Sequence, residues 1–296
     1  MIIEKDWLKA ENPNEKIVIS KSPNAREIID PDYLIIHYTA GDTASSAINW
    51  FMNTKDNPQM IAAHIVLDRD GTITQLVPFN RRANHAGSSI WDGVEHFNYH
   101  SIGIEIVNPG YCEKLADGSF RRKVSNTQYQ TYPKAKAADI LETNHKHKFW
   151  ASNDNKHWFS FPAAQLQALY SLSRTLMAHY QLVTVLGHDD ISPLRKPDPG
   201  PCFPWKDFKT NVLGRTDNVG EIFVVNTDNT NFRVGHTTNS PVIKKLSRGY
   251  NVGLIETFGA WNKVYLANDK KELLIGDRCI KTIGWIHSSL LDLKGS

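Results

Sequence analysis

Three short apolar runs constrain this chain more than any other feature: YLIIHYTA (residues 33–40), SIGIEIVNP (101–109) and LVTVLGH (182–188). Each is rich in β-branched or aromatic residues and is too short for a buried helix, so each predicts a buried strand. Helical patterns lie between them. In DTASSAINWFMN, Thr43 can cap the start while Ala44, Ala47, Ile48, Phe51 and Met52 fall on one face. In FPAAQLQALYSLSRTLMAHY, Pro162 suits a first helical turn, and Leu166, Leu169, Tyr170, Leu176, Met177 and Tyr180 make an apolar stripe. AAHIVLDRDGTITQLVP reads as a hairpin turning at Asp70-Gly71. Strands interleaved with helices predict an α/β fold, a mixed central β-sheet flanked by helices.

From Cys112 to Ser160 the pattern dissolves, with nine Lys/Arg against five Asp/Glu and several aromatics. This stretch reads as an insertion, about 112–160, with one short helix around Ala135 to Asn144. After Gly214 the chain changes to short β-like pieces (EIFVVN, NFRVG, VIKKLSRG, NVGLIETFGAWNKVYL, TIGWIHSSLL) separated by Gly, Asn and Asp turns. They predict a second, small all-β domain of about eighty residues, a barrel or sandwich. The expected domains are therefore 1–215 and 218–296.

Composition excludes several classes. Of 296 residues 41% are hydrophobic and 22% charged, enough for a normal core in one large domain and one small one. A net charge of +3, evenly spread, does not point to nucleic acid. No apolar run reaches membrane-spanning length, and MIIEKDWLKAENPNEK lacks the basic start and apolar stretch of a secretory signal. The expectation is a chain made for the cytoplasm, or one exported without a signal peptide. Cys112, Cys202 and Cys279 are far apart and odd in number, which argues against a disulfide framework. Nothing in the pattern sets an oligomeric state.

The chemistry lies at the strand ends. His37 and His188 each close an apolar strand, and Asp198 follows ten residues later in a loop stiffened by prolines, GHDDISPLRKPDPGPCFPW. Two imidazoles and a carboxylate outline a hydrolytic zinc site, since three protein ligands leave a position for water. In SIGIEIVNP, Ile102, Ile104 and Ile106 point to one face and Gly103, Glu105 and Val107 to the other, so Glu105 is placed as a general base. Lys196, two residues before Asp198, can stabilise a developing oxyanion. Satisfied strand-end histidines, a turn-capping Asp198 and a Glu105 paired with a lysine account for the same pattern. Spacing alone leaves both readings open.

A resemblance separates them. HYTA at 37–40, HIVLDRDGTITQLVP at 64–78, NHAG at 84–87, SIGIEIVNPG at 101–110 and GHDDISPLRKPDPGP at 187–201 together resemble the zinc-dependent N-acetylmuramoyl-L-alanine amidases of type 2. That family includes the AmpD-type amidases and is similar to peptidoglycan recognition proteins. The resemblance covers roughly residues 30 to 210 in order. It implies zinc on His37, His188 and Asp198, a catalytic Glu105 and Lys196, and cleavage between N-acetylmuramic acid and the L-alanine of a stem peptide. Peptidoglycan or muropeptides are the implied partner, and a non-catalytic peptidoglycan receptor on the same fold is the alternative. Arg195 and His85 match positions at the substrate groove and are the implied substrate contacts; Arg195 reads equally as a solvated surface arginine, and His85 equally as part of a turn. His64 reads as structural, and Asp189 and Asp190 as loop caps.

Two departures stand out. Asn84 replaces an aromatic that often precedes His-Ala-Gly, and the insertion is long for the family. HKHK at 145–148 reads as an exposed basic turn. The C-terminal piece resembles a bacterial SH3-like domain in its order of NFRVG, a Pro-Val-Ile turn, a Trp strand and a closing Gly-Trp-Ile. Such modules often bind cell-wall peptides, and Trp261, Tyr265 and Trp285 read either as contacts or as core.

Overall fold

A computed structural model describes residues 1–143, 157–193, 195–214, 221–267, 274–275, 278–279 and 282–294. The HKHK segment and part of the insertion lie outside them. By contact the chain divides into two compact units, Met1–Ile90 with Val94–Phe203, and Trp91–Gly93 with Pro204–Ser296. Among the described residues no helix is long and apolar enough to cross a membrane.

The first unit is mixed α/β. Its six-stranded sheet consists of β1 (Ile17–Ile19), β2 (Tyr33–Tyr38), β3 (Ile65–Leu67), β4 (Ile73–Gln75), β5 (Ser101–Ile106) and β6 (Thr184–Gly187), in the order β6-β2-β5-β3-β4-β1. The four strands β6, β2, β5 and β3 are mutually parallel. Strand β4 turns back against β3 through the hairpin at Asp70-Gly71, where Gly71 takes a left-handed φ of 86°. Leu34, Ile35, Ile36, Ile65, Val66, Leu67, Ile102 and Ile104 are all fully buried. A parallel sheet covered on both faces explains why the strands read as nearly continuous apolar runs.

Helix α1 (Ala44–Met52) starts as expected, with Thr43 Oγ1 accepting the Ser46 N–H. Its Ala44, Ala47, Ile48 and Phe51 pack against Ala62, Ala63 and Val66. Helix α2 (Ala163–Tyr180) buries Gln165, Leu169, Tyr170, Leu172, Ser173 and Leu176, a face rotated from the expected stripe. Gln165 accounts for the rotation. Its amide donates to the carbonyls of Leu67 (3.1 Å) and Val107 (3.0 Å), tying the helix to the ends of two neighbouring strands.

The insertion is not the irregular stretch with a helix that its composition suggests. It forms a five-stranded antiparallel sheet in the order Tyr129–Tyr132, Phe120–Lys123, Tyr111–Lys114, His157–Phe159, Ile140–Glu142. The expected helix is a 3-10 stretch, Lys134–Asp139, followed by strand. Cys112, Phe120, Tyr132, Ile140 and Phe159 supply a core of their own, one residue per strand, too sparse to show as periodicity.

The second unit carries an antiparallel seven-stranded sheet: β7 (Ile222–Val225), β8 (Thr230–Arg233), β9 (Val242–Leu246), β10 (Asn251–Phe258), β11 (Trp261–Leu266), β12 (Ile283–His287) and β13 (Leu291–Leu293). They stand in the order β9-β8-β12-β11-β10-β7-β13. Val225, Phe232, Leu246, Val252, Leu254, Val264, Leu266 and Ile286 form its core. Alternation along β11 turns Asn262, Val264 and Leu266 inward, which leaves Trp261 and Tyr265 half-buried outside that core. Trp285 on β12 is also half-buried. Strands β8 and β12 pair in register at Arg233 and Trp285. Beside that junction is a cavity of about 330 Å³ lined by Thr230, Asn231, Arg233, Trp261 and His287.

Candidate metal centre

The sheet register assembles the site. Parallel pairing of β2 with β5 sets His37 opposite Glu105, and pairing of β6 with β2 sets Gly187 opposite Ile36, so His188 follows at the level of His37. All three residues stand at the carboxyl ends of parallel strands, where open α/β sheets place ligands. Beyond β6 the chain turns at once into a short helix, α3 (His188–Ile191), because the Asp190 carboxylate accepts the Gly187 N–H at 2.9 Å. The Asp189 N–H then donates to the Asp198 carbonyl at 2.8 Å, drawing the proline-rich loop back over His188. The Asp190 carboxylate thus orders the loop, while Asp189 contributes through its backbone N–H.

Three donor atoms converge. His37 Nδ1 is 2.8 Å from His188 Nδ1 and 3.0 Å from Asp198 Oδ2, and His188 Nδ1 is 2.9 Å from the same oxygen. All three residues are buried. His188 Nε2–H donates to the Ala86 carbonyl at 3.0 Å, so its Nδ1 presents a lone pair to the cluster. Burial and the neighbouring His188 lower His37 to a pKa of about 4, against its bond to Asp198. Burial opposes ionisation of Asp198 as well, but attraction to His188 and the close approach of both imidazoles hold its carboxyl well below the ordinary range. The result is an ionised carboxylate with imidazole lone pairs turned on the same point. Among the described residues this is the one His/Cys/Asp/Glu group able to hold a metal. Nitrogen and oxygen donors in this number fit zinc, with a tetrahedral position left over.

The site opens on a groove of about 710 Å³ lined by Thr39, Trp50, Glu105, Tyr111, Lys196 and Asp198, among others. Glu105 Oε2 is buried with no hydrogen-bond partner among the described residues. Burial, and secondarily the Asp198 charge, push this carboxyl well above its ordinary pKa, with Lys196 pulling the other way. A buried, unpartnered carboxyl oxygen beside a cation site is what a proton acceptor for activated water requires.

Arg195 and His85 also line the groove. The Arg195 guanidinium clasps the 86–88 loop, with Nη2 at 2.7 Å from the Ala86 carbonyl, 3.1 Å from that of Ser88 and 2.9 Å from Ser192 Oγ. His64 is structural: Nδ1 accepts the Gly103 N–H at 3.0 Å and Nε2–H donates to the Arg81 carbonyl at 2.8 Å. Asn84 turns away from the groove lining and ties its loop down, donating to the Gln59 carbonyl at 2.8 Å and accepting from Arg82 at 2.5 Å.

Sequence reasoning missed three supports. Asn98 Oδ1 accepts the backbone N–H groups of both His85 (2.9 Å) and Ala86 (2.7 Å). From the insertion, Arg122 donates to the Ala40 carbonyl (2.6 Å) and Tyr132 to Asp42 (2.8 Å), fastening the loop that rims the groove. None stands in a motif. The left-handed φ of Ala40, 50°, is the kind of strain such a clamp sustains.

A family model described as N-acetylmuramoyl-L-alanine amidase matches residues 27–201. The N-acetylmuramoyl-L-alanine amidase AmiD of Escherichia coli (strain K12) is 31% identical over 189 residues, 61% of this chain and 53% of AmiD. The 1,6-anhydro-N-acetylmuramyl-L-alanine amidase AmpD of Salmonella typhimurium (strain SL1344) is 32% identical over 154 residues, 51% of this chain and 57% of AmpD. The chain thus spans about half the length of these curated relatives. Among solved structures, E. coli AmiD in complex with the substrate anhydro-N-acetylmuramic acid-L-Ala-D-gamma-Glu-L-Lys aligns with a TM-score of 0.42 at 28% identity, covering 71% of this chain and 65% of AmiD.

Proposed function

Because the chain belongs to the N-acetylmuramoyl-L-alanine amidase family, we propose that it is a zinc-dependent peptidoglycan hydrolase. The bond cleaved is the amide between the lactyl group of N-acetylmuramic acid and L-alanine of the stem peptide. One observation carries the reading: His37 Nδ1, His188 Nδ1 and Asp198 Oδ2 converge beside a groove lined by His188, Asp198 and Glu105. The names of AmiD and AmpD, amidases of muramoyl-L-alanine bonds, support the substrate class.

His37, His188 and Asp198 would hold the zinc. Bound there, it would supply Lewis-acid activation of water near neutral pH and positive charge beside the attacked carbonyl. Glu105 Oε2 takes the proton of the attacking water and returns it to the departing L-alanine nitrogen, a double duty suited to a carboxyl whose proton affinity burial has raised. The Lys196 ammonium, on the groove wall, offsets the negative charge that grows on the carbonyl oxygen. Arg195 and His85 contact the substrate from the same wall. Tyr111 and Trp50 offer aromatic faces to the sugar or the peptide.

The second unit is proposed to be an SH3-like module that holds the enzyme on the wall, domain 218–296 serving domain 1–215. Its half-buried Trp261 and the adjoining cavity are the supporting features. Deleting residues 218–296 should weaken binding to insoluble wall and spare turnover of small soluble muropeptides; equal losses on both would contradict the assignment. The amidase reading itself is tested by zinc content and by the mass of the products. Near-stoichiometric zinc and a free L-alanine amino terminus are expected, and binding of muropeptide without cleavage would identify a receptor instead.

A further inference from the structure

An imidazole can bind metal through Nδ1 only if its proton sits on Nε2, and the neighbour of Nε2 decides that. His188 has such a neighbour in the Ala86 carbonyl. For His37 the neighbour is another histidine: its Nε2 lies 2.9 Å from His85 Nδ1, with the two rings at 80°. We propose that His85 is a positioning residue whose Nδ1 accepts the Nε2–H of His37, fixing His37 in the tautomer and orientation that present Nδ1 to the metal.

The hydrogen-bond polarity beyond His85 agrees with this direction. With Nδ1 accepting, His85 carries its proton on Nε2, which faces the Ser101 carbonyl at 3.5 Å and Ser101 Oγ at 3.4 Å. Ser101 Oγ–H is committed to the Phe97 carbonyl at 2.5 Å. The opposite polarity would turn a lone pair of His85 Nε2 onto that carbonyl oxygen. The ring can lie there because residue 103 is glycine: a Cβ on Gly103 would come within 2.5 Å of His85 Cγ. Asn98 fixes the backbone by accepting both the His85 and Ala86 N–H groups. One two-residue stretch therefore sets the tautomers of both ligand histidines, His85 through its ring and Ala86 through its carbonyl.

The inference rests on the zinc-site reading above, so its test separates the two. In the full-length chain, zinc affinity is measured by competition with a chromophoric chelator for wild type, His85→Leu, His85→Gln, Gly103→Ala and the Gly103→Ala/His85→Leu double variant. His85→Leu should weaken zinc binding by about 10- to 100-fold, the usual effect of removing such a partner. His85→Gln, whose amide oxygen can accept the same N–H, should stay within about threefold of wild type. Gly103→Ala should weaken binding by displacing the His85 ring, and the double variant should be no worse than His85→Leu alone. Wild-type affinity in His85→Leu, or multiplying losses in the double variant, would overturn the proposal. Nitrogen-15 spectra of histidine-labelled, zinc-free wild type need no variant to fold. A proton on His37 Nε2 is expected, and a proton on Nδ1 refutes the bond direction. A wild type that binds no zinc but keeps the Nε2–H tautomer would sink the enzyme reading while leaving the His85–His37 bond standing.

Discussion

Replacing His64 by glutamine should make the first unit less sensitive to acid. His64 is buried, its Nδ1 already occupied by the Gly103 N–H and its proton given to the Arg81 carbonyl, so a second proton has no acceptor and no water. Burial, only partly opposed by the bond to Arg81, brings its pKa down from 6.5 to about 4. The sign follows. Above pH 6.5 the ring is neutral in both folded and unfolded chains and its contribution is intact. As pH falls from 6.5 towards 4 the unfolded chain takes up a proton that the folded one refuses, and stability is lost. Linkage puts the loss at about 2 kcal/mol by pH 5 and about 3 kcal/mol by pH 4. Glutamine can accept and donate at similar positions but does not titrate. Hydrogen exchange of β5 (Ser101–Ile106), read by mass spectrometry at pH 7.5 and 5.0, reports the opening free energy of this unit. Wild type should lose about 2 kcal/mol more than His64→Gln over that interval; equal losses would refute the reasoning.

Other perturbations have equally definite outcomes. Glu105→Gln should lower kcat by about 10²- to 10⁴-fold in a muropeptide assay while zinc content stays at the wild-type level, because Glu105 is not among the three converging donors. Arg122→Met, which removes the tie to Ala40 and one of the two ties to Asp42, should raise KM several-fold with kcat and zinc affinity little changed. Gly284→Ala would bring a Cβ within 2.6 Å of the Phe232 ring and 2.7 Å of the Arg233 carbonyl. It should destabilise the second unit by about 1–3 kcal/mol, seen as lost exchange protection of β12.

The sheet was readable because its strands are buried on both faces and carry their signal in every residue. Two strand-end histidines and a mid-strand glutamate could be placed from that signal alone, since parallel register makes strand ends coincide. What the sequence could not disclose is polar and long-range. Gln165 reads as a helix-surface residue until the strand-end carbonyls it donates to are in place. Gly103 looks like a weakness in a strand until the His85 ring is seen lying across it. The inserted sheet hides because each strand contributes only one residue to its core, and its cross-strand partners are up to 47 residues apart, as in Tyr111 with Trp158. The insertion matters to the groove all the same, since Arg122 and Tyr132 reach back over 80 residues to hold its rim.

The central claim meets its most direct test in the products formed when the purified, zinc-loaded chain is incubated with a defined muropeptide and analysed by mass spectrometry. The account predicts two fragments, a sugar ending in a free lactyl carboxylate and a peptide beginning with a free L-alanine amine, and neither with Glu105→Gln. An intact muropeptide, or cleavage at any other bond, would contradict it.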